Sequence, residues 1–280
     1  MPSLILGLHP ATVAQVDDLV TYLDAAAAAG FQAADFSMPN ARALETTSGR
    51  DAVIEAFESR DLQPGAWGAG AQVIGSYAEF DASLGEVAEN AALGAALGAR
   101  VAAVVVPNRV DMPRDEMLDL LAMRIGDVAD TAAGDGVALS LEFIGPNIWP
   151  EQPYELFSGI KGTLDLIDRI GRVNVGILFD TYHFHCGDSE LADIALAGRA
   201  INHVHLNDAP PGDPTTFDDS VRRLPGDGVM NLSAILAALE AVGYEGPGGV
   251  EIFNDDLRAL PITEGAARVA AACRRAFGQP

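Results

Sequence analysis

Four apolar runs in the second half of the chain each end in a side chain able to ligate a metal or move a proton: Leu139-Ser-Leu-Glu142, Gly176-Ile-Leu-Phe-Asp180, His203-Val-His205 and Gly249-Val-Glu251. A single carboxylate after an apolar strand is ordinarily a helix cap or a solvated loop residue. Four such ends in succession, with an imidazole third, describe something more specific. Two Glu, one Asp and one neutral His make a donor set dominated by oxygen, suited to Mn2+, Mg2+ or Co2+ more than to the sulfur-rich sites of structural zinc. We therefore expect Glu142, Asp180, His205 and Glu251 to hold one divalent ion, Mn2+ first, with Zn2+ also accommodated.

His203 and His205 are two apart, so in a regular strand they face one side at different depths. His205, nearer the strand end, is the expected ligand, and His203 is expected to pack behind it. Asp180-Thr-Tyr-His183-Phe-His185 adds two more imidazoles. His183, three residues after Asp180, can fold back over metal or substrate and is expected to take part in catalysis and substrate binding. His185 is a second substrate-binding candidate, with an ordinary loop histidine as the equal alternative. Glu142 and Glu251, on strands separated by two others, can flank a substrate as base and acid. Arg222 is a candidate for bonding substrate oxygens, against a plain surface charge. Trp149 and Phe253 can offer apolar faces to a ring, or simply pack. The only lysine, Lys161, lies in a loop-like stretch leading into a helix, which makes Schiff-base chemistry a poor expectation.

The elements that must bring these ends together can be read from the rest of the chain. Apolar runs of strand length alternate with Ala- and Leu-rich helical segments, the order of a parallel sheet. Strands are expected at residues 4–7, 33–36, 63–66, 101–106, 137–142, 175–180, 201–206 and 249–253. Helices are expected at residues 12–29, 44–59, 79–97, 114–133, 163–170, 189–196, 232–242 and 263–277, most followed by a glycine, such as Gly30 or Gly134, in the left-handed region. Eight strands in 280 residues, with no linker, predict one (β/α)8 TIM barrel spanning residues 1–280, a fold of about 250 residues that builds its sites at the carboxyl ends of its strands. The two longest connections, residues 147–160 and 207–231, follow strands at that face, where Asp208 is expected to add a further carboxylate.

These motifs, together with Leu141-Glu-Phe-Ile-Gly145, Asn174-Val-Gly-Ile-Leu-Phe-Asp180, Val204-His-Leu-Asn-Asp208, Pro225-Gly-Asp-Gly228 and Val250-Glu-Ile-Phe253, resemble the xylose-isomerase-like TIM barrels of the sugar phosphate isomerase/epimerase family, and within it the inosose (2-keto-myo-inositol) isomerases. The resemblance covers nearly the whole chain and is sharpest from Val137 on. It implies that Glu142, Asp180, His205 and Glu251 ligate one divalent ion, and that the two glutamates bind metal and move protons together. Asn254, where the resemblance implies an Arg, and Pro146-Asn-Ile-Trp-Pro150 depart from the inosose isomerase pattern. These departures bear on the substrate, not on the metal chemistry.

Such a site supports proton abstraction next to a carbonyl, through an enediolate. Returning the proton to the neighbouring carbon isomerises, returning it to the opposite face epimerises, and expelling a β-substituent makes a lyase. The expected activity is isomerisation or epimerisation of a small keto-sugar or keto-inositol. A β-eliminating lyase on 3-keto sugars or glycosides is the alternative, followed by a non-catalytic sugar-binding barrel. A formal charge of −23 and only five histidines argue against a DNA-binding, multi-zinc relative. The N-terminus lacks the basic and apolar regions of a signal peptide and only two cysteines occur, so a cytoplasmic protein without membrane or nucleic-acid partners is expected. Homo-oligomer and partner-subunit assemblies both stay open.

Overall fold

Nine parallel strands form one sheet in the computed structural model, which describes residues 5–278. They are β1 Ile5–Leu8, β2 Ala33–Ala34, β3 Gln63–Pro64, β4 Trp67–Gly68, β5 Val101–Val106, β6 Ala138–Phe143, β7 Val175–Asp180, β8 Ile201–Leu206 and β9 Pro247–Val250. Their hydrogen-bonded order is β3-β2-β1-β9-β8-β7-β6-β5-β4. Only Gly65 and Ala66 separate β3 from β4, so the two ends of that order are joined through the chain itself. The sheet closes into the eight-position barrel, its third position made of two short strands, β3 pairing with β2 and β4 with β5.

The elements match the sequence expectations with instructive differences. Leu4, the expected start of the first strand, lies outside the described residues. The last strand begins at Pro247 and ends at Val250 instead of spanning 249–253, because Pro247-Gly-Gly-Val pairs with Ile5–Leu8 along its length. The expected first helix starts at Leu19, where Asp18 accepts from the Val20 and Thr21 amides, and a short turn at Pro10–Thr12 replaces its beginning. The helix expected at 44–59 is two, Met38–Ser48 and Arg50–Glu58, broken at Gly49 (φ 88°). Gly134 stays right-handed (φ −58°), and Gly136 turns the chain instead (φ 67°). A helix not foreseen, Thr181–Cys186, follows β7 directly. Among the described residues no helix is long and apolar enough to cross a membrane.

Register decides which side chains enter the barrel. Asp180 pairs with His205 across β7 and β8, His205 with Gly249 across β8 and β9, and Glu142 with Leu178, two before Asp180. With side chains alternating along each strand, Glu142, Asp180, His205 and Glu251 share the inner face. Their strand neighbours Leu139, Leu141, Ile177, Phe179, Val204 and Leu206 are buried in the apolar core, on the opposite face that packs against the helices.

Candidate metal centre

The structure brings Glu142, Asp180, His205 and Glu251 together: one potential ligand atom from each lies within 4.8 Å of all the others, and all four are buried. His205 Nδ1 is central, 3.5 Å from Glu142 Oε1, 3.4 Å from Glu251 Oε2 and 4.0 Å from Asp180 Oδ2. Glu142 Oε1 and His205 Nδ1 are buried without a hydrogen-bond partner. Lone pairs facing one another in a dry site are costly unless a cation lies between them. The donor set therefore fits a divalent ion, and no thiol is near enough to bias it toward a structural zinc site.

Each of these side chains is held by further contacts. Asp180 is the N-cap of the helix Thr181–Cys186, its Oδ1 accepting from the Tyr182 and His183 amides at 2.7 and 2.9 Å. It is thus a helix cap and a member of the cluster at once. Asn207 donates Nδ2 to Asp180 Oδ2 at 2.9 Å and is itself fixed by the Thr181 hydroxyl at 2.6 Å. Arg222 is wholly buried, which excludes the surface-charge reading. Its Nη1 donates to Asp180 Oδ2 (3.0 Å) and Glu251 Oε2 (2.8 Å), its Nη2 to Asp219 Oδ1 (2.9 Å), and Tyr182 and Phe253 cover the guanidinium.

The electrostatics follow from this packing. Burial opposes the charge on Arg222, but Asp180, Glu251 and Asp219 outweigh it and raise its pKa further. Burial alone would lift Glu251, yet His205, His9 and Arg222 hold it well below the usual carboxylate range. Asp180 is lowered in the same way, chiefly by Arg222 against its burial. Burial also works against a charged His205, and Glu251, Asp35 and Glu142 overcome that to raise its pKa. Protons and metal ions therefore compete for the same nitrogen.

His183 joins the group from the short helix, its Nε2 3.0 Å from Arg222 Nη2 and its Nδ1 buried without a partner. A guanidinium can only donate, so the proton of a neutral His183 sits on Nδ1. His185 stays outside the cluster, half-buried. Trp149 is half-buried in the loop after β6, its carbonyl accepting from the Gln152 amide, and no contact joins it to the carboxylates. Phe253 stacks on Arg222 and Arg258, so its face is taken. His203 packs as expected, with its Nε2 on Asp35. Lys161 pairs with Asp193, away from the centre.

Asp208 is no free carboxylate of the mouth. Its two oxygens accept from the amides of Ala209, Gly226, Gly228 and Met230 at 2.8–3.0 Å, and its backbone pairs with Arg223. This one side chain ties down the loop that delivers Arg222. Sequence reasoning missed His9 and Asp35. His9, one residue past β1, places Nδ1 3.4 Å from Glu251 Oε1 and packs edge-on to His205 at 5.0 Å. Its only sequence signal is its position after an apolar strand.

A cavity of about 600 Å³ opens beside the mouth, walled in part by Asn108, Arg109, Asn147, Ser158, Asp188 and Thr215. None of the four candidate ligands lines it.

Comparison with known proteins gives a consistent picture. The family described as xylose isomerase-like TIM barrel matches residues 23–276. An inosose isomerase of Bacillus velezensis is 28% identical over 165 residues, 59% of this chain and 57% of that protein. A 3-dehydroshikimate dehydratase of Pseudomonas aeruginosa is 32% identical over 145 residues, 51% of this chain and 22% of that protein. The chain spans about half the length of the inosose isomerases it matches. Among solved structures, a xylose isomerase domain protein from Alicyclobacillus acidocaldarius superimposes with a TM-score of 0.88 at 27% identity, covering 99% of both chains. Both named relatives are enzymes.

Proposed function

The chain belongs to the xylose isomerase-like TIM barrel family, and from that membership we propose that it is a divalent-metal-dependent isomerase or epimerase of a small neutral keto-sugar or keto-inositol. One observation carries the reading: Glu142 Oε1 and His205 Nδ1 are both buried without partners and lie with Glu251 and Asp180 in one cluster of potential ligand atoms. Mn2+ suits the three carboxylates and one imidazole best. When bound, such an ion supplies the Lewis acidity that stabilises negative charge on a substrate oxygen.

The chain's own residues do the rest. Glu142 and Glu251 stand on opposite sides of His205 and serve as base and acid for the proton leaving the carbon next to the carbonyl. Arg222 donates to Asp180 Oδ2 and Glu251 Oε2, which fixes how these carboxylates present themselves. His183, with its proton on Nδ1, donates to a substrate hydroxyl. Three carboxylates already surround Arg222, so its charge is not free to meet a phosphate. That pairing favours an uncharged polyhydroxy ketone.

The deciding experiment compares kcat/KM for an inosose, a free ketohexose and the matching ketose phosphate on protein loaded with Mn2+. A neutral ketone should be preferred. A preference of tenfold or more for the phosphate, about 1.4 kcal/mol in the transition state, would contradict the substrate reading. A second reading, β-elimination, is favoured by the likeness to a 3-dehydroshikimate dehydratase. It shares the first proton abstraction and differs in expelling a β-substituent, so release of that group during turnover identifies it.

A further inference from the structure

Asp35 is almost wholly buried inside the barrel, one residue beyond β2, yet nothing around it in the sequence marks it as functional. Its amide donates to the Leu8 carbonyl at 3.0 Å, which turns the side chain inward. Oδ1 accepts from the Ala66 amide at 2.7 Å, and His203 Nε2 lies 3.2 Å from the same oxygen. His205 Nε2 lies 3.4 Å from Oδ2. The rings of His203 and His205 stand at 86° to one another. Gly65 and Gly249 stand on either side of it, and an added Cβ at either would collide with an Asp35 oxygen. Neither glycine has a positive φ, so space around this carboxylate, not backbone conformation, is what glycine provides there. The segments carrying residues 35, 65, 203 to 205 and 249 are thus all shaped around one buried anion.

His9, Asp35 and His205 also lie close enough to one another to hold a cation. Asp35 is already committed to Ala66 and His203, and His205 would have to serve two ions at once, so a ligand role for Asp35 is the poorer account. A neutral imidazole carries one N–H and one lone pair. With a carboxylate at Nε2, the N–H belongs there and the lone pair belongs on Nδ1. We infer that Asp35 is a positioning residue for the metal centre, accepting the Nε2–H of His205 and so holding the Nδ1 lone pair toward Glu142, Asp180 and Glu251. His203, the second donor to Asp35, keeps the carboxylate from turning away. The inference rests on the metal-dependent reading above, and carboxylate partners of this kind typically contribute 10- to 100-fold to metal affinity.

The test uses the full chain with ¹⁵N-labelled histidine and Zn2+, a diamagnetic probe, with Zn2+ and Mn2+ affinities measured in parallel by titration. In the wild type, His205 should show a protonated Nε2 and a metal-shifted Nδ1. Asp35→Asn should bind both ions 10- to 100-fold more weakly while the chelated variant keeps the wild-type circular dichroism spectrum. Asp35→Asn binding as tightly as wild type, with the same His205 pattern, overturns the inference and leaves the metal reading standing. A wild type that takes up neither ion overturns both. If Asp35→Asn does not fold, the wild-type spectrum still decides: metal on Nε2 with the proton on Nδ1 refutes the assignment.

Discussion

Between β6 and β8 the barrel has six-residue strands, and each delivers one candidate ligand at or near its carboxyl end: Glu142, Asp180 and His205. Between β1 and β4 the strands run two to four residues and deliver His9 and Asp35 just past their ends. In the first region strand pairing fixes each side chain's direction, and Glu142 Oε1 and His205 Nδ1 end there without hydrogen-bond partners. In the second the side chains are placed by glycine gaps and by one carboxylate shared between two imidazoles. The late strands therefore present a reactive set, whereas the early ones brace it from behind. Loss of function and loss of support should separate along that line.

The largest effects belong to the late strands. Glu142→Gln and Glu251→Gln should each lower kcat by about 10²–10⁴-fold, the range for losing a positioned acid or base, with the melting temperature of chelated Glu142→Gln near wild type and that of Glu251→Gln lowered by the loss of its charge beside buried Arg222. A loss of activity that tracks loss of folding would blur the division. Next comes the pair on β8. His205→Ala should abolish tight Mn2+ retention, while His203→Ala should weaken it less, because only His205 presents a nitrogen to the three carboxylates; equal losses in equilibrium dialysis would contradict this.

Asp208 tests support at the mouth. Asp208→Ala leaves the amides of Ala209, Gly226, Gly228 and Met230 without their acceptor. A destabilisation of about 1–3 kcal/mol is expected from unmet donors, and a fall in kcat/KM of roughly tenfold as Arg222 loses its place. Denaturant melts and steady-state kinetics read the two effects separately, and an unchanged kcat/KM would mean that Arg222 is held by its carboxylates alone.

Legibility in the sequence follows the same division. The carboxylates of β6 and β7 could be read because each ends a run of apolar residues long enough to reveal its period, and Arg222 stood out in a Pro- and Gly-rich connection. Its burial could not be read, since that depends on Asp180 and Glu251 arriving from two other segments. Asp35 was invisible because a two-residue strand has no period. The glycines that make room for it, Gly65 and Gly249, fall in stretches read only as strands, and Pro247-Gly-Gly, poor in strand-forming residues, concealed the start of β9. The helix Thr181–Cys186 was hidden by its own composition, a Thr-Tyr-His-Phe-His run that becomes helical because Asp180 caps it.

A smaller effect is expected from pH on the metal-free protein. Asp35, Asp180 and Glu251 all have lowered pKa values in the fold, so their contribution to stability is present above the unfolded carboxylate values of about 4 and is lost as pH falls through the folded ones. His205 runs the other way: its raised pKa gives stability that is full below about 6.5 and is lost as pH rises through the folded value. The melting temperature of chelated protein should therefore decline on both sides of a mildly acidic maximum. Asp180→Asn should flatten the acid limb more than substitution of a surface carboxylate such as Asp115 does.

The central claim is that these four side chains hold a divalent ion for proton abstraction beside a carbonyl, and deuterium exchange tests it most directly. Protein loaded with Mn2+ and incubated in D2O with an inosose should place solvent deuterium on the carbon next to the carbonyl, lose that exchange on chelation, and regain it when Mn2+ is restored. Exchange that continues at the same rate in fully chelated protein would contradict the account.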